Sequence, residues 1–285
     1  MKRGIFSILL LAAAITACSA GNSNLESAGQ APFPGVGIVA HRGFWDSPTG
    51  GGARNSIAAL RAAQEAGFWG SEFDVNMTSD SVLLVFHNSS IDGKKIEKNP
   101  HSTFADFRLE NGEPIPTLDA FLTQAEKSRK TKLVFELKQH STPEVEDLAI
   151  SLSLQMLADH GLLHPDRVIF ISFSLHACRE FARRCPGFSV QYLGANLWPC
   201  EVLTNGINGI DMNFFYYLLM PRMHDEARAL GMTVNVWTVN SEADIRKVIA
   251  TGIDLITTDN PLLAREILGE KEVTIDPENA PTAAP

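Results

Sequence analysis

Three carboxylates lie in β-like stretches of the sequence where they could carry out metal chemistry. Glu72 and Asp74 are two residues apart, and Glu136 lies in a later apolar stretch. Side chains alternate along a strand, so all three are predicted on the face opposite their apolar neighbours. A charge that points into a protein interior must be paired or metal-bound. The pattern predicts a site for one divalent cation, Ca²⁺ or Mg²⁺, with ion pairing to Arg42 and Lys138 as the alternative.

Two histidines lie at the ends of short apolar stretches that also resemble strands. His41 follows the first β-like run of the domain, and His87 follows Phe86 at the end of another. Histidine titrates near neutral pH, so two of them can supply the acid and the base that cleave one bond. A lone histidine is more often structural, but two at strand ends beside three carboxylates favour catalysis.

The elements that must position these residues alternate between strand and helix patterns from residue 36 onward. Strands are predicted at 37–41, 70–76, 132–138, 167–173, 188–193, 208–213, 232–239 and 254–258. Helices are predicted at 55–67, 117–130, 143–161, 175–184, 218–230, 241–251 and 261–269, with a poorly defined fifth crossover. Repeated βα units of this kind predict an α/β protein, a (β/α)8 TIM barrel with a small insertion over 77–116 after the second strand. Polar residues at the carboxyl ends of its strands would face the mouth, where barrel enzymes work.

The composition is that of an ordinary globular protein. The 285 residues are 45% hydrophobic and 20% charged, with 24 Lys and Arg against 33 Asp and Glu. The formal net charge of −9 argues against sequence-independent binding of nucleic acid, which needs a basic surface. We therefore expect no nucleic acid among the partners of this protein.

The N-terminus is similar to a bacterial lipoprotein signal. Charged residues at positions 2 and 3 precede an apolar stretch, and residues 15–18 read Ile-Thr-Ala-Cys. The segment predicts a signal peptide over 1–17 and a lipid anchor on Cys18, with a soluble secreted protein as the alternative. Residues 18–35 would be the lipidated cysteine and a tether, 36–270 the barrel, and 271–285 a disordered tail. The expected location is the outer membrane, facing the periplasm or the cell surface, with the membrane as a partner.

Three further cysteines lie within the barrel. In an oxidising compartment Cys178, Cys185 and Cys200 allow one disulfide and leave one thiol over. The sequence does not select the pair.

A series of short motifs runs in a fixed order through residues 37–262. In chain order they are His41-Arg42-Gly43, Glu72-Phe73-Asp74-Val75, His87, Pro116-Thr117-Leu118, Glu136-Leu137-Lys138, Val236-Trp237-Thr238-Val239-Asn240 and Thr257-Thr258-Asp259-Asn260-Pro261. Each motif is short, but their order and spacing together resemble the glycerophosphodiester phosphodiesterase family. This family is related to the sphingomyelinase D and phosphatidylinositol phospholipase C barrels.

The resemblance implies a role for each matching residue. The implied roles are metal binding by Glu72, Asp74 and Glu136, phosphate binding by Arg42 and Lys138, acid–base catalysis by His41 and His87, and an apolar wall at Trp237. We take His41 as the base, and Trp237 as a plain core residue is the alternative. The implied reaction is metal-dependent hydrolysis of a glycerophosphodiester, or a related phosphodiester, to an alcohol and a phosphomonoester such as glycerol 3-phosphate. The attacking group is either water or a neighbouring hydroxyl of the substrate, which would give a cyclic phosphate.

Two positions depart from the family pattern. The family's Glu-Asn-Thr is Arg54-Asn55-Ser56, and its His-Asp is His87-Asn88. Either Arg54 points to solvent, or it adds a cation near the phosphate and changes the preferred head group. Asn88 removes a negative charge beside the second histidine.

Two other functions compete with this prediction. Phospholipase-type activity on intact lipid would need an exposed apolar rim at the mouth, for which Phe44-Trp45 and Phe68-Trp69 are candidates. A non-catalytic binding lipoprotein of the same fold is the second alternative, supported only by Arg54 and Asn88. A binding site alone has no need of a complete set of acid, base and metal residues.

Overall fold

The computed structural model describes residues 35–269, which alternate between strands and helices. The strands are β1 (Gly37–Ala40), β2 (Gly70–Met77), β3 (Leu83–Val85), β4 (Ser90–Ile91), β5 (Lys94–Lys95), β6 (Lys132–Leu137), β7 (Val168–Ser172), β8 (Ser189–Tyr192), β9 (Gly209–Asn213), β10 (Thr233–Trp237) and β11 (Leu255–Thr258). The helices are α1 (Ile57–Glu65), α2 (Leu118–Ala125), α3 (Pro143–Asp159), α4 (Leu175–Arg184), α5 (Pro199–Thr204), α6 (Phe214–Leu219), α7 (Pro221–Ala229), α8 (Glu242–Ile249) and α9 (Pro261–Ile267).

The parallel strands close into a barrel. Around the barrel the order is β1, β2, β6, β7, β8, β9, β10 and β11, and β1 pairs with both β2 and β11. The pairing of β1 with β2 is short, since only Val39 and Ala40 take part, opposite Gly70 and Ser71. The predicted (β/α)8 fold is confirmed, and each of the eight predicted strands agrees with the structure to within two residues.

One predicted helix is wrong, because residues 218–230 do not form a single element. The chain folds into α6 and α7, which are separated at Met220. Pro221 cannot donate a backbone hydrogen bond, and its ring disfavours helical geometry at the preceding residue. Met220 accordingly has φ −126° and ψ 57°, outside the helical region. The undefined fifth crossover contains the short helix α5.

The predicted insertion follows β2 and forms a small lobe. Strand β3 runs antiparallel to β2, and β4 pairs with β5 in a separate two-stranded sheet. The lobe has a core of its own, composed of Ala53, Leu84, Ile91, Ile96, Phe104, Leu109 and Ile115. Because β3 is anchored on β2, the residues that follow β3 lie beside the barrel mouth.

Two apolar layers fix which way each strand residue points. Inside the barrel a small cluster contains Val39, Val134 and Ile169. Between the strands and the helices lies the main core, where the ring of Phe73 packs 4.5 Å from that of Phe121 on α2. Side chains alternate along β2, so the neighbours of Phe73 point into the barrel, as the sequence pattern predicts.

A polar contact joins the end of α3 to α2, away from the barrel mouth. His160 follows α3, and its two ring nitrogens contact the carboxylates of Glu126 and Asp119. Burial alone would lower the pKa of His160, but these two carboxylates outweigh burial and raise it.

The predicted signal peptide, Cys18, nearly all of the tether and the tail over 271–285 lie outside the described residues, so the domain boundaries stay predictions. Within residues 35–269 no helix is long and apolar enough to cross a membrane. In the same part of the chain Cys178 and Cys185 are buried as free thiols, and Cys200 is partly exposed.

Candidate active site

The three predicted metal ligands converge at the mouth of the barrel. Asp74 on β2 lies directly opposite Glu136 on β6, and Glu72 lies one inward position below Asp74. One carboxylate oxygen of each residue lies within 4.8 Å of the other two. All three side chains are buried, with residue exposures of 3% for Glu72, 1% for Asp74 and 7% for Glu136.

Burial and mutual repulsion set the charge state of this acidic cluster. Burial, followed by the charges of Asp74 and Glu136, raises the pKa of Glu72 well above its ordinary value. Burial and the charge of Asp74 likewise raise the pKa of Glu136 to about 8. Burial would also raise the pKa of Asp74, but the charges of Lys138, His87 and Arg42 together lower it to about 2.

One oxygen of the cluster fits a metal ion better than it fits the protein alone. Glu72 Oε1 is buried and has no hydrogen-bond partner among the described residues. A buried oxygen without a hydrogen-bond partner destabilises the folded protein, and a site made only of carboxylates prefers to bind a hard divalent cation. The residues present therefore fit a Ca²⁺ or Mg²⁺ ion bound by Glu72, Asp74 and Glu136.

The two predicted phosphate-binding cations border this cluster. Lys138 Nζ lies 3.1 Å from Asp74 Oδ1 and 2.7 Å from Glu136 Oε1. Arg42 Nε lies 3.5 Å from Asp74 Oδ2, and the Arg42 backbone N–H donates to Glu72 Oε2 at 2.8 Å. The side chains of Arg42 and Lys138 are 21% and 17% exposed, so a phosphate group entering the mouth can contact both.

Asn55 forms two hydrogen bonds with Asp74, and the sequence analysis did not predict this role. Its amide nitrogen donates to Asp74 Oδ2 at 2.8 Å, and its amide oxygen accepts from the Asp74 backbone N–H at 3.2 Å. Asn55 is buried and has a left-handed backbone with φ 60°, which Asn tolerates better than most residues. Its position just before Ser56, the N-cap of α1, was the available signal.

His41 is held by an aspartate from the opposite end of the chain. Its Nδ1 lies 2.9 Å from Asp259 Oδ1. A carboxylate can only accept, so Nδ1 carries the proton and Nε2 is free to accept another. Asp259 also accepts from Trp45 Nε1 at 3.1 Å and from Asn240 Nδ2 at 2.8 Å. Burial opposes ionisation, but these hydrogen bonds, led by that of His41, lower the pKa of Asp259 to about 2.

His87 lies just beyond β3, on the insertion side of the mouth. Its Nδ1 contacts the amide oxygen of Asn88 at 2.8 Å, so the asparagine takes the place of a carboxylate as the hydrogen-bond acceptor. Burial lowers the pKa of His87, and the nearby charge of Asp74 opposes that shift. Asn76 Nδ2 donates to the backbone oxygens of Phe86 and Asn88, which holds this segment against β2. Sequence reasoning did not identify Asn76.

Trp237 lies at the carboxyl end of β10, and Arg54 lies in the segment between β1 and α1. Trp237 ends β10, donates from Nε1 to the Asp211 backbone oxygen at 3.1 Å, and packs edge-on against Phe173. It is half-buried rather than enclosed in the core. Arg54 is exposed, and its guanidinium stacks 3.6 Å above the ring of Trp45 rather than on the acidic cluster.

Phe68, one of the four aromatic residues suggested for the apolar rim of the phospholipase alternative, does not belong to such a rim. Phe68 is buried at 2% exposure and packs edge-to-face against Phe44, because both fill the space beneath α1. Phe68 therefore presents no apolar surface at the mouth, whereas Phe44 is only partly buried.

The sequence profile of the glycerophosphoryl diester phosphodiesterase family matches residues 41–263, which include every candidate catalytic and metal-binding residue. The chain belongs to this family. Members of this phosphodiesterase family are phosphoric diester hydrolases, so the chain is an enzyme of that class.

Individual relatives agree with the family assignment. A glycerophosphodiester phosphodiesterase of Caldanaerobacter subterraneus subsp. tengcongensis is 26% identical over 245 residues, covering 79% of this chain and 94% of the relative. A crystal structure of a glycerophosphodiester phosphodiesterase from Parabacteroides distasonis is 41% identical, with a TM-score of 0.78 over 82% of this chain and 97% of that one. The fold also matches an Oleispira antarctica phosphodiesterase in complex with the product sn-glycerol-3-phosphate, at 21% identity and a TM-score of 0.69. That match covers 82% of this chain and 96% of that one.

Proposed function

We propose that this enzyme hydrolyses glycerophosphodiesters to an alcohol and glycerol 3-phosphate with a divalent cation and two catalytic histidines. The observation that carries the proposal is the convergence of three buried carboxylates, one with an unpartnered oxygen, beside a histidine whose Nδ1 is held by Asp259. The names of the relatives support glycerophosphodiesters as the substrate class, and the glycerol 3-phosphate complex of the Oleispira antarctica enzyme supports the product.

The phosphate group would be bound by the charged half of the mouth. Glu72, Asp74 and Glu136 would hold the cation, which when bound supplies Lewis-acid stabilisation of the charge that develops on the phosphate oxygens. Arg42 and Lys138 would donate hydrogen bonds to the same phosphate group. Both cations are already held by the cluster, so they need little reorganisation to bind the substrate.

His41 would act as the base and His87 as the acid. Nε2 of His41 takes the proton of the attacking hydroxyl group, while Asp259 stabilises the resulting imidazolium through Nδ1. The new oxygen–phosphorus bond forms as the bond to the alcohol breaks, and His87 gives its proton to the departing oxygen. Attack by water gives glycerol 3-phosphate directly, whereas attack by a neighbouring hydroxyl of the glycerol gives a cyclic phosphate, which water must open in a second step. Trp237 would contact the departing alcohol from the other side of the mouth.

The first experiment is turnover of the full chain on a panel of glycerophosphodiesters with EDTA, Mg²⁺ or Ca²⁺. We expect activity that requires a metal and is lost in His41→Ala and His87→Ala. Phosphorus NMR during turnover separates the two routes, because a cyclic glycerophosphate accumulates only if a substrate hydroxyl attacks. A folded, metal-bound protein without turnover on the panel would contradict the proposal and leave a binding role.

The location of the enzyme is a separate proposal that rests on the sequence alone. We propose that it is exported, lipidated on Cys18 and anchored in the outer membrane, as the N-terminal pattern predicts. Incorporation of radiolabelled palmitate by the full chain, and its loss in Cys18→Ser, is the expected result. A chain that is secreted without label would favour the soluble alternative.

A further inference from the structure

The segment over residues 138–142 leads from β6 to α3 and begins with Lys138. The Lys138 backbone N–H still belongs to the barrel sheet, because it donates to the Val75 backbone oxygen at 3.0 Å. In a parallel pair each strand supplies donors in turn, so the next donor is the backbone N–H of Met77 at the end of β2. Its acceptor is a side chain instead of a backbone carbonyl, since it donates to Nε2 of His140 at 3.0 Å. The imidazole of His140 thus continues the hydrogen bonding between β2 and the chain after β6.

The ring of His140 is buried, and this contact allows only one protonation state of Nε2. The residue is 8% exposed. A backbone N–H can only donate, so Nε2 accepts and carries no proton. Protonation of Nε2 would place two donors against each other and break the contact. The contact therefore requires the neutral form of His140.

Two carboxylates hold the backbone at His140 and at the residue that follows it. Glu146 on α3 accepts from the His140 backbone N–H at 3.2 Å, and its other oxygen accepts from Ser174 Oγ at 2.6 Å. Glu97 in the insertion lobe accepts from the Ser141 backbone N–H at 2.9 Å. These contacts fix the segment to α3 and to the insertion lobe, and the ring of His140 fixes it to β2.

We propose that His140 is a positioning residue for the phosphate-binding lysine, because its neutral imidazole holds the chain after β6 against β2. This proposal rests on the proposed phosphodiesterase function. His140 lies two residues after Lys138, and Met77 lies three residues after Asp74. Their hydrogen bond therefore closes the structure just beyond the ion pair between Lys138 Nζ and Asp74 Oδ1, which are 3.1 Å apart. Loss of this bond would free the backbone that carries Lys138, so the lysine would bind the phosphate group less well.

Acidic pH should weaken the same contact. Burial lowers the pKa of His140, and the charges of Glu97 and Glu146 and the backbone of Lys138 oppose that shift. The two carboxylates act on the ring from the insertion lobe and from α3, while β2 presents the uncharged backbone of Met77. The ring is neutral at neutral pH, and the lysine loses this support when the ring is protonated at lower pH.

Amide exchange of the full chain, followed by NMR, tests the contact without relying on activity. His140→Leu removes the acceptor, whereas His140→Gln supplies an amide oxygen near the position of Nε2 and has no group that titrates. We expect the amides of Met77 and Lys138 to exchange faster in His140→Leu, by about tenfold or more at Met77, and His140→Gln to restore most of their protection. Unchanged exchange at either amide in His140→Leu would refute the proposal.

Steady-state kinetics on a soluble glycerophosphodiester tests the effect on the site. We expect kcat/KM at neutral pH to fall about tenfold in His140→Leu, because a misplacement of about 1 Å can cost about 100-fold, and to recover in His140→Gln. The control is His164→Leu, which removes an exposed histidine shortly before β7 and should keep the parent rate. An equal loss in His164→Leu, or no loss in His140→Leu, would overturn the inference.

The pH profile distinguishes positioning from a purely structural role. At acidic pH His140→Gln should keep a larger fraction of its neutral-pH kcat/KM than the parent protein keeps, because its amide does not titrate. This comparison needs only the conservative variant, so it is informative even if His140→Leu does not fold. Identical profiles for the two proteins would overturn the inference. Absence of turnover in the parent protein would instead overturn the proposed function, while amide exchange at Met77 and Lys138 would still test how the lysine is held.

Discussion

Replacing Asp259 by Asn tests directly how His41 works. The Asp259 side chain is 21% exposed, and the hydrogen bonds it accepts lower its pKa from 3.8 to about 2. Burial opposes this shift, so the net difference corresponds to about 2 kcal/mol in favour of the carboxylate, shared among the donors His41, Asn240 and Trp45. A charge-assisted hydrogen bond of this kind contributes about 1.5–3 kcal/mol. Because the imidazolium of His41 forms only during the reaction, we expect kcat/KM to fall about 10- to 100-fold.

Separate determination of kcat and KM for Asp259→Asn distinguishes this effect from a loss of fold. The charge that develops on the His41 ring during the reaction loses its carboxylate partner, so kcat should fall while KM and the melting temperature stay close to those of the parent protein. Asp254→Asn is a suitable control, because Asp254 precedes the same strand and pairs with Arg228 at 2.7 Å, away from the mouth. The reasoning would be refuted if Asp259→Asn kept wild-type kcat/KM, or if Asp254→Asn gave the same loss of kcat.

Three further predictions concern the acidic cluster and the stability of the barrel. Asn55→Ala removes both hydrogen bonds to Asp74 and should lower kcat/KM about tenfold. Steady-state kinetics at saturating metal concentration measures this effect. Activity equal to that of the parent protein would show that these two hydrogen bonds are not needed for catalysis. Mg²⁺ or Ca²⁺ should raise the melting temperature of the parent protein, because an ion would ligate Glu72 Oε1, and Glu72→Gln should remove most of that increase in a thermal scan. The raised pKa of His160 stabilises the fold while the ring is protonated in the folded protein, and this stabilisation is lost as the pH rises above the ordinary histidine range. Urea unfolding should therefore find His160→Gln less stable than the parent by about 0.5–1 kcal/mol at acidic pH, and equal to it at alkaline pH.

The acidic cluster was predictable because it depends on local regularities. Glu72 and Asp74 share a face through strand alternation, and Glu136 belongs to the next parallel strand of the barrel. Parallel register brings the carboxyl ends of such strands to one edge. The same rule placed His41 at the mouth, since it directly follows β1.

The missing site residues depend on information that no local pattern contains. Asp259 reaches His41 across 218 residues, a contact that exists only because β1 pairs with β11. Asn55 acts through a left-handed backbone conformation that composition does not reveal. The error at Phe68 has a related cause, since whether an aromatic residue packs beneath a helix or faces the mouth depends on how α1 lies against β2.

The contact between His41 and Asp259 also has a consequence for biosynthesis. The three carboxylates of the acidic cluster and both histidines are all translated before residue 140, yet the partner of His41 is made only 218 residues after it. A nascent or truncated chain that ends before β11 can therefore contain a nearly full set of reactive side chains and still lack an oriented base. Phosphodiester cleavage would then appear only when the last strand joins the first, so enzyme activity would report the completion of the barrel during synthesis.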